Sequence, residues 1–287
     1  MRIQKISIAF LALAIAVTSC MKDDFSDYTK SELTNESGST ISLVTGRADG
    51  VISLSVDAPE QVRTGVWIDL DGNGKRAENG TEDVKVFNAY REYTLSAGVK
   101  SISVHGDITY LAAASNELTA INVSANPHLT TLNVPLNNLS ALDLSKNSAL
   151  MRLDCSGNNL SSLDLSQNRS LVSLWVFDNE LASLNVSDNA ELAFLDCSGN
   201  KLNTLDVSKN REMMRLLAYN NRLTTLDISQ NSKLNHLWLF GNPLSNKETE
   251  RIITTLRSVI GGDLWLTDEP LDEALTQAVA AKGWTLQ

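Results

Sequence analysis

The sequence is poor in the residues that build most metal and catalytic centres. Its 287 residues include three histidines, His105, His128 and His236, and three cysteines, Cys20, Cys155 and Cys197. A zinc site gathers three or four Cys or His ligands around one ion, and this supply leaves almost no room for one. Basic residues are also short, 24 against 34 acidic, for a formal charge of -10. A nucleic-acid binder draws affinity from lysines and arginines that displace counterions from phosphates, so the balance points away from nucleic acid. No apolar run reaches the about 20 residues of a membrane-spanning helix. What is present is 43% hydrophobic and 20% charged, an ordinary globular composition on a chain long enough for a sizeable core.

The longest apolar stretch, Ile6 to Val17, follows Arg2 and Lys5 and ends at Val17-Thr18-Ser19-Cys20. A basic start, a short apolar run and small residues at its end have the order of a secretory signal. The segment ending at Cys20 resembles the lipobox of bacterial lipoproteins. That resemblance implies cleavage before Cys20 and acylation of it, giving a membrane anchor in which each buried methylene contributes about 0.8 kcal/mol. An ordinary cleaved signal is the alternative. The next residues, Met21-Lys22-Asp23-Asp24, resemble the surface-export signal of lipoproteins in Bacteroidota, which implies an outward-facing outer-membrane protein; a solvated linker start is the alternative. The expected organisation is a signal over 1–19, lipidated Cys20 and a tether over 20–40, a small antiparallel β-domain and cap over 41–107, repeats over 108–244 and an α/β cap over 245–287.

From Ile108 the chain repeats every 21 residues, with units starting at 108, 129, 150, 171, 192, 213 and 234. Apolar residues fall at unit positions 1, 4, 6, 11, 14 and 16. Position 9 is asparagine in every unit (Asn116, Asn137, Asn158, Asn179, Asn200, Asn221, Asn242), and position 19 is asparagine in every unit that reaches it (Asn126, Asn147, Asn168, Asn189, Asn210, Asn231). This spacing is that of a leucine-rich repeat solenoid, in which each unit buries its apolar face against the next. The apolar residues at 4 and 6 share one side of a short strand because side chains alternate with period 2. Asparagine then turns the chain, its short amide serving backbone groups in the bend. Twenty-one residues leave no room for a long helix, so the opposite side is expected to be strand-like around positions 14 to 16. The unit resembles the short repeats of the internalin J type, whose consensus carries cysteine at a core position. Here Cys155 and Cys197 hold position 6 in two units only. Two rungs of about 4.8 Å separate them by about 10 Å, too far for a disulfide, so both are expected to be free, buried and inert.

Units compared with one another reveal which face varies. Position 15 is always Asn or Asp and position 17 always serine, as suits a solvated scaffold. Positions 3, 5 and 7 differ from unit to unit and collect Trp175, Phe177, Phe194, Tyr219, Trp238 and Phe240, edged by Arg152, Arg215 and His236. The strand register turns these away from the leucines, which predicts an exposed aromatic patch on the concave face. Aromatic residues and arginine are the usual anchors of protein interfaces. Cover by a flanking domain is the alternative.

In the N-terminal region, strands are expected over 51–56, 66–70, 84–87, 93–95 and 101–105. Asp69-Leu70-Asp71-Gly72-Asn73-Gly74 matches the first half of an EF-hand loop, with Asp69, Asp71 and Asn73 as calcium ligands and Glu82 as a late one. Position 12 is Gly80, so the motif is incomplete, and an Asp/Asn/Gly turn without metal is the alternative. In the C-terminal region, helices are expected over 246–259 and 269–282 around a strand over 263–267, with Trp265 and Trp284 in the cap core. No nucleophile–base spacing or phosphate loop stands out, and His236 beside Asp196 is the only general-base pairing to suggest itself. The reading is a noncatalytic surface lipoprotein requiring no cofactor that binds a protein, host or bacterial, through its aromatic face. A glycan on the same aromatics is the alternative.

Overall fold

The computed structural model describes residues 39–287. The export signal, Cys20 and nearly all of the tether lie outside the described residues. Five strands precede the repeats: β1 (Thr40–Thr45), β2 (Val51–Asp57), β3 (Trp67–Asp69), β4 (Arg91–Thr94) and β5 (Ser101–His105). The first unit contributes two strands, β6 (Tyr110–Ala112) at its positions 3 to 5 and β7 (Leu118–Asn122) on the opposite side. The next six units each give one, again at positions 3 to 5: β8 (Thr131–Asn133), β9 (Arg152–Asp154), β10 (Ser173–Trp175), β11 (Phe194–Asp196), β12 (Arg215–Leu217) and β13 (His236–Trp238).

From β6 through β13 these strands run parallel, each unit position facing its own equivalent, as in Leu153–Leu174–Leu195. The register follows from the leucines, since a slip by one residue would turn every one of them to solvent. Position 4 forms a buried column from Leu111 to Leu237, and position 6 a second one through Val134, Cys155, Val176, Cys197 and Leu239. Burial of each leucine contributes roughly 1.5–3 kcal/mol. Cys155 and Cys197 are free, as the spacing requires, and burial pushes both thiols far above their ordinary pKa.

The two asparagine ladders differ in how much they hold. At position 9, Asn179 donates to the carbonyls of Cys155, Val176 and Phe177 and accepts from the Leu160 amide, so one side chain bridges two rungs. At position 19, Asn168 donates to the Leu144 and Asn147 carbonyls, while its buried Oδ1 accepts nothing. Among the described residues, strand pairing on that side is confined to the first unit, where β1 supplies β7 with an antiparallel partner.

Position 8 is left-handed in every unit: Ser115, Leu136, Gly157, Asp178, Gly199, Asn220 and Gly241 all have φ between 52° and 68°. From Leu136 onward, side chains and glycines alternate. A Cβ on Gly199 would lie 2.2 Å from Asp178 Oδ1, and one on Gly241 would lie 2.1 Å from Asn220 Oδ1. Each glycine thus makes room for the side chain of the preceding rung.

The N-terminal strands extend both sides of the first unit. One sheet has the order β3-β5-β1-β7, and β2 and β4 add antiparallel strands to the long sheet beyond β6. Ile41, Leu43, Ile52, Leu54, Ile102 and Val104 continue the repeat core without a break. The run 84–87 is not a strand; an isolated antiparallel bridge between Trp67 and Asp83 forms beside it, and its continuation would have to pair with residues before Val66, where Glu60–Gly65 is coiled into a 3-10 turn.

At the other end come α1 (Asn246–Thr255), β14 (Gly262–Trp265), α2 (Glu273–Ala281) and β15 (Trp284–Leu286). Ser245 and Asp272 cap the two helices by accepting from the amides three residues on. Lys282 Nζ donates to the carbonyls of Ile253, Thr254 and Leu256, closing the end of α1 where orphan carbonyls accumulate. Both β14 and β15 are parallel to β13, so they prolong the solenoid sheet by two rungs. Among the described residues, no helix is long and apolar enough to cross a membrane.

Candidate functional site: the concave face

In-register parallel pairing sorts the outward side chains into rows running across the strands. The position-3 row is Tyr110, Thr131, Arg152, Ser173, Phe194, Arg215, His236 and then Asp263 of β14. The position-5 row reads Ala112, Asn133, Asp154, Trp175, Asp196, Leu217, Trp238 and Trp265. The expected residues therefore do share one face. They are less exposed than their alternation suggests: Trp175, Phe177, Phe194, Tyr219 and Trp238 are half-buried, as are Arg152, Arg215 and His236, and Phe240 retains only 8% of its surface.

The cause at the C-terminal end is ring stacking. Tyr219 and Phe240 stack at 4.5 Å between centroids, Phe240 stacks on Trp265 at 4.0 Å, and Trp238 meets Trp265 edge-on at 5.9 Å. Such pairs contribute about 0.5–1.5 kcal/mol beyond area burial. Trp265 belongs to this cluster and not to the cap core, where only Trp284 is found, 4% exposed. The sequence carried the signal: Asp263-Leu-Trp-Leu266 has the pattern of His236-Leu-Trp-Leu239 one rung earlier, hidden because it arrives after 27 residues and not 21.

Beside the aromatics lie carboxylates that composition alone did not single out, Asp196 buried and Asp154 half-buried. Asp196 accepts from the Ser198 amide at 3.1 Å and the Ser198 hydroxyl at 2.5 Å, and Asp154 is held in the same way by Ser156. Burial pushes the Asp196 carboxyl up to about 7, outweighing those hydrogen bonds, and Asp178 and Asp154 add to the rise. Burial likewise raises Asp154 and Asp178. The Tyr219 hydroxyl, next to Ser198, is pushed up to about 12 by burial and then by Asp196. His236 is two strands from Asp196 and is held elsewhere, its Nδ1 2.8 Å from Asn235 Oδ1 and its Nε2 3.3 Å from Arg215 Nη2. Burial and the arginine lower its pKa. The suggested His236–Asp196 base pairing does not form.

The acidic loop is a separate candidate. Asp69 accepts from the amides of Gly72, Asn73 and Gly74, Asp71 and Asn73 are exposed, and Glu82 folds back to accept from Leu70 and Ala77. One carboxylate oxygen from each of Asp69, Asp71 and Glu82 falls within a 4.8 Å span. Asp69 and Glu82 are both buried there, which is the oxygen-rich, partly dry corner a hard cation prefers.

Among known proteins, a family model described as the LVIVD repeat matches residues 98–132, the junction, the first unit and the start of the second. No curated protein matches the chain. The functional domain of InlJ from Listeria monocytogenes, which includes a cysteine ladder, is similar at 27% identity and a TM-score of 0.54, over 64% of this chain and 41% of that one. A leucine-rich repeat protein of Leptospira interrogans is 31% identical over 46% of this chain and 36% of its own, with a TM-score of 0.45. An internalin (inlF) of Listeria monocytogenes is 17% identical over 57% of this chain and 48% of its own, with a TM-score of 0.48. The chain spans less than half the length of each. The likeness to InlJ and the 21-residue geometry together make the fold an internalin-like leucine-rich repeat solenoid.

Proposed function

We propose that the protein is a noncatalytic bacterial surface lipoprotein whose concave face binds another protein. The observation that carries this reading is the contrast between rows. The side opposite the sheet repeats Asx and serine unit after unit, whereas the concave rows diversify into aromatics and charges. Diversity on one face of a regular scaffold is what a specific partner requires. Stacking of Tyr219, Phe240 and Trp265 ring on ring favours a protein over a glycan, since those faces are already taken.

The test is a screen of the full chain against extracellular-protein and glycan arrays beside a Trp175→Ala, Phe177→Ala variant. These two residues lie away from the stacked cluster, and a thermal melt of the variant checks its fold. Protein hits lost in the variant are the expected result. Glycan hits lost in the same way would replace the reading, and hits that survive would move the site off this face.

Two further parts of the proposal have their own measurements. Cys20 carries the lipid anchor, so Cys20→Ser should move the protein from the detergent-rich to the aqueous phase and abolish palmitate labelling; unchanged partitioning would refute it. The loop of Asp69, Asp71, Asn73 and Glu82 takes calcium. Calcium should then raise the melting temperature where magnesium does not, and Asp71→Asn should reduce that rise; a melt indifferent to calcium returns the loop to a metal-free turn.

A further inference from the structure

Three adjacent strands place Asp154, Trp175 and Asp196 side by side in the position-5 row. At about 4.8 Å per strand the two aspartates stand about 10 Å apart with the indole between them. Each is fixed through Oδ1 by the amide and hydroxyl of its own unit's serine, and among the described residues no hydrogen bond reaches Oδ2 of either. Asp178, in the rim turn after β10, adds a third negative charge near Asp196. None of the three forms an ion pair among the described residues; Arg215 in the neighbouring row turns to His236.

We propose that this row receives a lysine or arginine side chain of the bound protein, its cation against the Trp175 ring and between the two carboxylates. The inference rests on the protein-binding reading of the concave face and narrows it to partners that present a basic residue. An indole face attracts a cation, more strongly where water is partly excluded, and a half-buried site screens the carboxylates less than bulk solvent does.

The probe is a fluorescent nonapeptide of alternating lysine and serine, titrated against the full chain, with a glutamate–serine peptide beside it. The titration is run at pH 8, above the raised Asp196 value, where the double variant Asp154→Asn, Asp196→Asn keeps both serine hydrogen bonds and removes both carboxylates. Asp143→Asn, Asp164→Asn removes two charges from the opposite side. The basic peptide should bind at least tenfold more weakly to the first variant and within twofold of the parent to the second, and Trp175→Ala should weaken it severalfold. Equal loss in both double variants, or no binding to the parent chain, overturns the assignment. An array partner lost with Trp175→Ala, Phe177→Ala but indifferent to Asp154→Asn, Asp196→Asn overturns the cation site alone; a partner indifferent to both variants ends the concave-face reading as well.

Discussion

On the side opposite the long sheet, Asp143, Asp164, Asp206 and Asp227 each precede a serine by two residues, as Asp154 and Asp196 do on the concave side. The local bond is the same in all six: a carboxylate accepting from the serine amide, at 2.8–3.1 Å. Yet the first four are held below the ordinary carboxylate range by that bond, and the other two are raised above it by burial. Two regions built from one repeat thus use one motif for opposite ends. On the outer side it steadies a turn in water. On the inner side the same bond is outweighed by burial, which disfavours the charged form.

The contrast can be broken most drastically at the ladder that keeps both sides in register. Asn179→Ala removes the amide that serves three carbonyls and one amide group across two rungs. At about 1 kcal/mol per hydrogen bond, a loss of about 3–4 kcal/mol is expected in denaturant unfolding. A loss below about 1 kcal/mol would mean that backbone pairing alone carries the bend.

Asp196→Asn sharpens the contrast with a gain. Below about pH 4 the Asp196 carboxyl is neutral whether folded or unfolded. Between about 4 and 7 the unfolded chain releases the proton while the folded one retains it, so the parent loses stability over that window and stays lower above it. The asparagine variant should therefore match the parent at pH 4 and exceed it at pH 8 by a few kcal/mol. Equal melting temperatures at both pH values would sink this account.

Asp164→Asn should act with the opposite sign and more weakly. Its lowered pKa contributes stability that is present above the unfolded value and fades as acid protonates the folded group. The variant should be slightly less stable at pH 7 and indistinguishable from the parent at pH 2, with full exposure keeping the difference small. Smallest of all is the response expected from the two core thiols. Maleimide should leave Cys155 and Cys197 unmodified in the native protein and label both in denaturant; native labelling would show the inner sheet opening locally.

Much of this was legible in the chain because two residue types recur at fixed places. Leucine at position 4, with a smaller apolar residue at 6 in most units, sets the strand and its inward side, and asparagine at 9 and 19 sets the bends, so β8 to β13 fall where the period puts them. The helix bounds were less legible: α1 ends at Thr255, short of 259, and α2 starts at Glu273, after Asp272 caps it, and not at 269. Other features are properties of neighbours and not of any one unit. β1 and β15 are short runs whose strand character comes from pairing with β5 and β7, and with β14. The half-burial of the aromatics depends on which ring lies across the next strand, and burial of Phe240 on a tryptophan 25 residues away. The acidic loop showed its residues but not that Glu82 folds back to meet Asp69.

The alternation at position 8 makes this solenoid count in twos. Removing one 21-residue unit, 192–212, would set Asp178 beside Asn220, two side chains in a stretch where, from Leu136 onward, one of every pair of neighbours has none. Removing 42 residues, 192–233, would set Asp178 beside Gly241 and leave the rim as it was. Length in this chain is therefore quantised by the pair of rungs, so an insertion, a deletion or a graft keeps its fit only when it comes in even numbers.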